Sequence, residues 1–285
     1  MSFKKKYAAL VATAAIAALA LSGCSSATDT AAPAGDHKDI KICVYTHGDG
    51  GTFWSVAQKG AEAAAADLGV TLDYQGANND AAKQASTIEA GIAAGCNGIA
   101  SSVPDAGALK GPMLAAKDAG IPTVTMNSGS AVYKELGAFT HVGQDEIIAG
   151  QQAGLKFNEM GVKHVLCPIQ EAANVGLEER CKGLAQTFKG KAENFNLDGG
   201  LADLTAAAAK LQAALTADKT IDAVFALNAD IAAKAVLPAA EAAGVTLKIG
   251  TVDMSPEALD AIEAGTMEFA IDQQQYAQGY MSVVL

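Results

Sequence analysis

Apolar and polar positions along this chain change period many times over. Residues 40–45 form a short apolar run that reads as a buried strand. Phe53, Val56, Ala57, Gly60, Ala61, Ala64 and Leu68 then recur at helical spacing. The same alternation continues. Strands are expected at residues 70–75, 98–102 and 123–126, with helices at residues 81–94 and from about 106 to 119. A short apolar strand at 138–142 and a helix reaching Met160 follow. A second series has strands at 162–168, 193–197, 222–227, 247–252 and 267–272, with helices notably at 206–215 and 231–243. Strand and helix in turn, at roughly 25-residue spacing, predict an α/β protein whose parallel sheets are covered by helices on both faces. Two series of similar layout predict two α/β lobes. A last helix opens at residues 273–276 and reaches Val283-Val284-Leu285 with no cap or polar tail, which reads as a truncated chain without its final helix and strands.

The N-terminus departs from this pattern. Lys4-Lys5-Lys6 and the apolar residues 7–21 have the layout of a signal peptide and are too short for a membrane span. Leu21-Ser22-Gly23-Cys24 resembles the lipobox of bacterial lipoproteins, in which the cysteine carries the lipid. Residues 1–23 are therefore expected to be a leader, Cys24 a lipidation site and residues 24–38 a flexible tether. The rest would be a domain held outside a membrane by that lipid alone.

Charge narrows the function. The chain carries a net −11, and the lysines of the leader are its only basic cluster. Neither nucleic acid nor a second lipid contact fits such a surface. An extracytoplasmic compartment permits disulfides. Cys43, Cys96, Cys167 and Cys181 allow three pairings. Cys167 and Cys181 flank one strand–loop–helix unit and are the first pair to expect. Cys43 and Cys96 lie on and before strands that would be neighbours. No metal-ligand spacing competes with these readings.

The loop after the first strand, Thr46-His47-Gly48-Asp49-Gly50-Gly51-Thr52-Phe53-Trp54, holds the only tryptophan and lies where open α/β sheets bind ligands. It has two glycines of a dinucleotide fingerprint and lacks the third. Neither a phosphate-binding loop nor a G-x-S-x-G elbow occurs. His141 and His164 have no nucleophile beside them in sequence. An enzyme is not expected, and no cofactor is called for.

That loop, VPDAGAL, TMNSGS, ELGAFTHVGQDE, GLEERCKGL, VFALNAD, TVDMSPEAL and AIDQQQYAQGY together resemble type I periplasmic binding proteins of the ribose/galactose group. These are sugar-binding components of ABC importers, and the resemblance covers residues 40–285. It implies two Rossmann-like lobes joined by a hinge, residues 39–142 with 274–285 and residues 143–273, closing on a ligand. Its motif positions fall on Phe53 and Trp54 as an aromatic platform and on Arg180, Asn228, Asp253 and Gln273 as polar ligand contacts. Ribose-type members carry an Asp-Arg pair after the fourth strand; this chain has Asn127-Ser128, which argues against ribose itself. Asn127 and Ser102 remain candidates for hydroxyl bonding, and His47 and Asp49 are added candidates from the first loop. The expected protein is a monomer that binds a monosaccharide or polyol and hands it to an ABC transporter permease. The alternative is a sensing module that presents a bound sugar or autoinducer to a membrane receptor.

Overall fold

The computed structural model describes residues 37–285. The leader, Cys24 and most of the tether lie outside the described residues. The tether's last two positions do not: His37 and Lys38 already belong to the first strand. The amide of His37 donates to Gly69 O at 3.1 Å and Thr71 Oγ1 donates to Lys38 O at 3.0 Å, which draws these residues into the ladder.

The first sheet contains β1 (His37–Thr46), β2 (Val70–Gly76), β3 (Gly98–Ser102), β4 (Thr123–Met126) and β5 (Thr140–Val142). Their order is β2-β1-β3-β4-β5, parallel throughout. The second contains β6 (His164–Ile169), β7 (Lys191–Asn196), β8 (Ala223–Ala226), β9 (Lys248–Val252) and β10 (Phe269–Ile271). Its order is β10-β9-β8-β6-β7, again all parallel. Parallel strands need crossovers: helices α1 (Gly51–Leu68), α2 (Ala81–Ala93) and α3 (Ala106–Asp118) supply them in the first sheet and α5 (Val175–Thr187) and α6 (Leu204–Ala217) in the second, while α4 (Glu146–Glu159) lies between β5 of the first sheet and β6 of the second. Central strands are buried on both faces: β4 and β8 have no exposed residue.

Each sheet has two cores. Tyr45, Ile88, Leu109 and Met113 fill one face of the first sheet, and Val44, Ala61, Ala64, Val124 and Met126 the other. Leu166, Leu211, Val224 and Ile249 fill one face of the second sheet; Phe157, Leu184 and Phe225 fill the opposite one. Cys43 is joined to Cys96 and Cys167 to Cys181, one pair beneath each sheet, with Cα atoms 6.0 Å apart in both.

The expected helix over residues 231–243 is not continuous. Asn228 caps a single turn, α7 (Ala229–Ile231). A π-helical turn, Ala232–Val236, follows and passes into α8 (Leu237–Ala243). The chain continues through α9 (Pro256–Glu263) to β10, then leaves the second sheet. Its last helix, α10 (Gln275–Val284), packs against α1 of the first sheet. The approach is so close that a Cβ on Gly279 would lie 1.8 Å from Ala57 O, and one on Gly60 would lie 2.0 Å from Tyr276 O. Only glycine fits at either position.

Candidate functional site

The carboxyl ends of the two sheets face a cavity of about 360 Å³. That lies at the small end of the range of roughly 300–1,000 Å³ typical for small-molecule sites. The first sheet contributes the loop between β1 and α1. Gly50 and Gly51 both have positive φ, which lets the chain turn sharply into α1 without a side-chain cap. Gly48 lies directly against Trp54; a Cβ there would be 2.1 Å from the indole nitrogen. Trp54 is thereby packed edge-on to His47 at 4.9 Å and to Phe53 at 4.8 Å, and all three line the cavity. The result is an aromatic corner whose apolar area can cover the C–H face of a ring.

His47 is buried and held from below. Its amide donates to Ser102 Oγ at 2.7 Å, and its Nδ1 lies 2.8 Å from the same oxygen. Nε2 faces Glu171 Oε2 at 3.6 Å and Asn174 Nδ2 at 3.4 Å in the second lobe; it donates to the carboxylate in one tautomer and accepts from the amide in the other.

The second sheet contributes a preassembled polar network. Arg180, buried on α5, donates through Nε and Nη2 to both oxygens of Glu146, through Nη1 to Leu227 O at 2.9 Å, and through Nη2 to Gln273 Oε1 at 3.0 Å. A forked guanidinium meeting a carboxylate with both arms is the strong form of this pairing. Gln273 Nε2 donates to Asp253 Oδ1, and Asn228 Nδ2 donates to Asp253 Oδ2 at 3.1 Å. Asn127 Nδ2 reaches Gln273 Oε1 from the first lobe at a long 3.5 Å. Asn127 and Asp253 both adopt the left-handed backbone region, with φ 58° and 73°. Such strain in non-glycine residues concentrates at functional sites.

Electrostatics follow from burial. Removal from water pushes the Asp253 carboxyl up to about 6; Arg180 and the bonds from Gln273 and Asn228 pull against that rise. Burial alone would lower Arg180, but the Glu146 carboxylate outweighs it and keeps the guanidinium charged. Burial would also raise Glu171. Bonds from His47 and Asn174 and the field of Arg180 reverse this and hold its carboxyl below the usual range.

Comparison with known proteins gives the family. Residues 42–285 match the family described as periplasmic binding protein domain. The chain belongs to that family. A solved carbohydrate transporter from Acidothermus cellulolyticus, in complex with myo-inositol, is 41% identical and superposes with a TM-score of 0.82, over 86% of this chain and 85% of that one. A putative rhizopine-binding protein of Rhizobium meliloti is 29% identical over 81% of this chain and 78% of the relative. The xylose/arabinose-binding protein XylF of Sulfolobus acidocaldarius is 24% identical over 86% of this chain; the match spans 65% of that relative's length.

In this periplasmic binding protein, the residues singled out in the sequence converge with one exception. His47, Asp49, Phe53, Trp54, Asn127, Arg180, Asn228, Asp253 and Gln273 all line the cavity. Ser102 does not. It is fully buried at the end of β3 and acts through His47. Asn228 does two jobs, capping α7 with Oδ1 and holding Asp253 with Nδ2. Among the residues that escaped the sequence reading are Glu146, which pairs with Arg180, and Glu171 and Asn174, which face His47. Asn174 caps α5 and Glu146 lies in the first turn of α4, so each looks like an ordinary helix start. His141 and His164 lie apart from the cavity, bonded to Thr125 and to Thr220 and Glu193. Among the described residues no helix is long and apolar enough to cross a membrane, and no cluster of metal-ligating side chains occurs.

Proposed function

We propose that this chain captures a cyclic polyol, an inositol-type cyclitol or a monosaccharide, between its lobes and delivers it to an ABC transporter permease. The lobes divide at residues 39–142 with 274–285 and residues 143–273, and Cys24 carries the lipid that tethers them outside the membrane. The observation that carries this reading is the cavity itself. An aromatic corner from one lobe faces a network of Arg180, Asp253, Asn228 and Gln273 from the other. A ring with an apolar face and a rim of hydroxyls is the ligand such a pair of walls complements. The relative solved with myo-inositol puts cyclitols first among the ligands to test.

Ligand bridging both lobes binds the closed arrangement better than the open one and shifts the population toward it. The test is thermal unfolding of the chain against inositols, pentoses, hexoses and acyclic polyols. A ligand at 100 times its dissociation constant adds about 2.7 kcal/mol. A clear rise in midpoint with a cyclitol or sugar supports the reading. A folded chain that responds to none of them refutes it.

A further inference from the structure

Three residues carry bonds across the cleft without lining its cavity. Pro104 follows β3 and Ser128 follows β4, and the amide of Val103 donates to Ser128 O at 3.0 Å, which ties the two loops together. Opposite them stands the start of α5, with Asn174 as its cap and Val175 as its first residue. The amide of a first helical residue has no partner within its own helix. Here the Val175 amide donates to Pro104 O at 3.2 Å, a carbonyl from the loops of the other sheet. Beside it, the Ser128 hydroxyl lies 3.2 Å from Asn174 Oδ1 and 3.1 Å from Asn127 Oδ1, its single proton shared between them. Asn174 Oδ1 also accepts the Gly176 amide at 3.1 Å, so the helix cap and the crossing bond use one atom. Ser128 is 4% exposed and Pro104 is buried. Pro104, Ser128 and Val175 all stand outside the lining of the cavity of about 360 Å³. Thr52 with Asp230 at 3.4 Å and Asn127 with Gln273 at 3.5 Å also bridge the cleft, but these contacts are long and all four residues line that cavity.

From this placement we infer that Pro104, Ser128 and Val175 form a latch: bonds from lobe to lobe that hold the cleft shut before any ligand enters, and so set affinity without touching the ligand. This rests on the reading given under Proposed function, in which the lobes close on what they bind. Parting the lobes returns the Val175 amide and the Ser128 hydroxyl to water. Each bond therefore favours closure by its own net free energy, whatever the cavity holds. A ligand that binds only the closed arrangement has an apparent affinity proportional to the fraction of chains already closed. The latch scales the affinity of every ligand by one common factor. Trp54 and Asp253 line the cavity and act on each ligand according to its own ring and hydroxyls. Pro104, Ser128 and Val175 are in this sense positioning residues for closure.

The test reads the latch without ligand and then with it. In the ligand-free chain, hydrogen exchange followed by NMR is expected to show the Val175 amide at least about fivefold slower than an unprotected amide. Ser128→Ala is expected to remove at least about half of that protection. Val175→Pro deletes the donated N–H. Proline suits a first helical position, and Asn174 before it is already extended, at φ −87° and ψ 99°. Val175→Ala keeps the N–H and serves as the control. In calorimetry with inositols, pentoses and hexoses, Val175→Pro is expected to weaken every ligand that wild type binds by one common factor, between about threefold and tenfold, and Val175→Ala by less than about twofold. A Val175 amide that exchanges unprotected in the ligand-free wild type overturns the latch, and so does protection that Ser128→Ala leaves unchanged. A loss in Val175→Pro that Val175→Ala matches, or that differs more than about threefold between ligands, overturns it as well. If wild type binds none of these ligands while the amide is protected and responds to Ser128→Ala, the ligand reading falls and the latch stands.

Discussion

Asn127 and Asp253 occupy matching places in the two lobes. Each follows the fourth strand of its sheet in spatial order, each has left-handed backbone, and each amide donates to the last residue of the neighbouring edge strand, Val142 O and Ile271 O, at 2.9 Å. The backbone device is the same; the side chains differ in charge. Asn127 is neutral and bonds weakly, to Ser128 at 3.1 Å and Gln273 at 3.5 Å. Asp253 is a carboxylate inside a network that includes a buried arginine. The first lobe thus presents apolar area and adaptable amides, and the second presents fixed charge. On the reading proposed above, the first wall would cover a ring and the second would orient its hydroxyls.

The sharpest way to break this contrast is Arg180→Ala. It leaves Glu146 buried without its partner, and unfolding in urea should show a loss of about 3–5 kcal/mol. A loss under 1 kcal/mol would mean that the network is not prebuilt. The disulfides test whether the lobes are stapled unequally. Cys43 and Cys96 are 53 residues apart, Cys167 and Cys181 only 14. Loop entropy predicts a cost of about 4 kcal/mol for removing the first pair and about 3 kcal/mol for the second. Double alanine variants compared under oxidising conditions check the order.

Exchanging the charge comes next. Asp253→Asn keeps a residue that tolerates left-handed backbone but loses the charged acceptor, so ligand affinity should fall at least tenfold, about 1.4 kcal/mol, with the fold intact. The matching change in the first lobe, Asn127→Ser, should weaken binding less than Asp253→Asn does. Equal losses would erase the distinction between the walls.

The smallest effect is on pH. Asp253 titrates near 6 in the folded chain and near 4 when unfolded, so its burial is a destabilisation fully present above about pH 6. That cost fades as pH falls through 6 toward 4, while ligand affinity declines over the same window because the carboxylate loses its charge. In Asp253→Asn both slopes should disappear. Midpoints and affinities measured between pH 4.5 and 7.5, the two proteins side by side, decide this.

Much of the architecture was legible from periodicity, because parallel strands buried on both faces are continuous apolar runs. β3 and β4 fall on the residues read as strands from the sequence, and most other boundaries move by one to three residues. The split of residues 229–243 into α7, a π-helical turn and α8 was not legible, since all three keep an alanine-rich helical pattern. Nine of the ten candidate ligand positions line the cavity because strand ends are visible as the points where apolar runs stop. Ser102 also stands at a strand end, but its hydroxyl points to His47. Glu146 was missed for a different reason. Arg180 has Glu178 and Glu179 beside it in sequence, yet pairs with a residue 34 positions away that only the packing of α4 on α5 brings near.

Gln273 stands in the short passage between β10, in the second sheet, and α10, which packs on α1 of the first. It is bonded at once to Arg180, Asp253 and Asn127. The strand crossing and the binding network therefore share an atom set. Of its three bonds only the one from Asn127, at 3.5 Å, joins the two walls, so drawing the walls apart would break that contact and leave those to Arg180 and Asp253 in place.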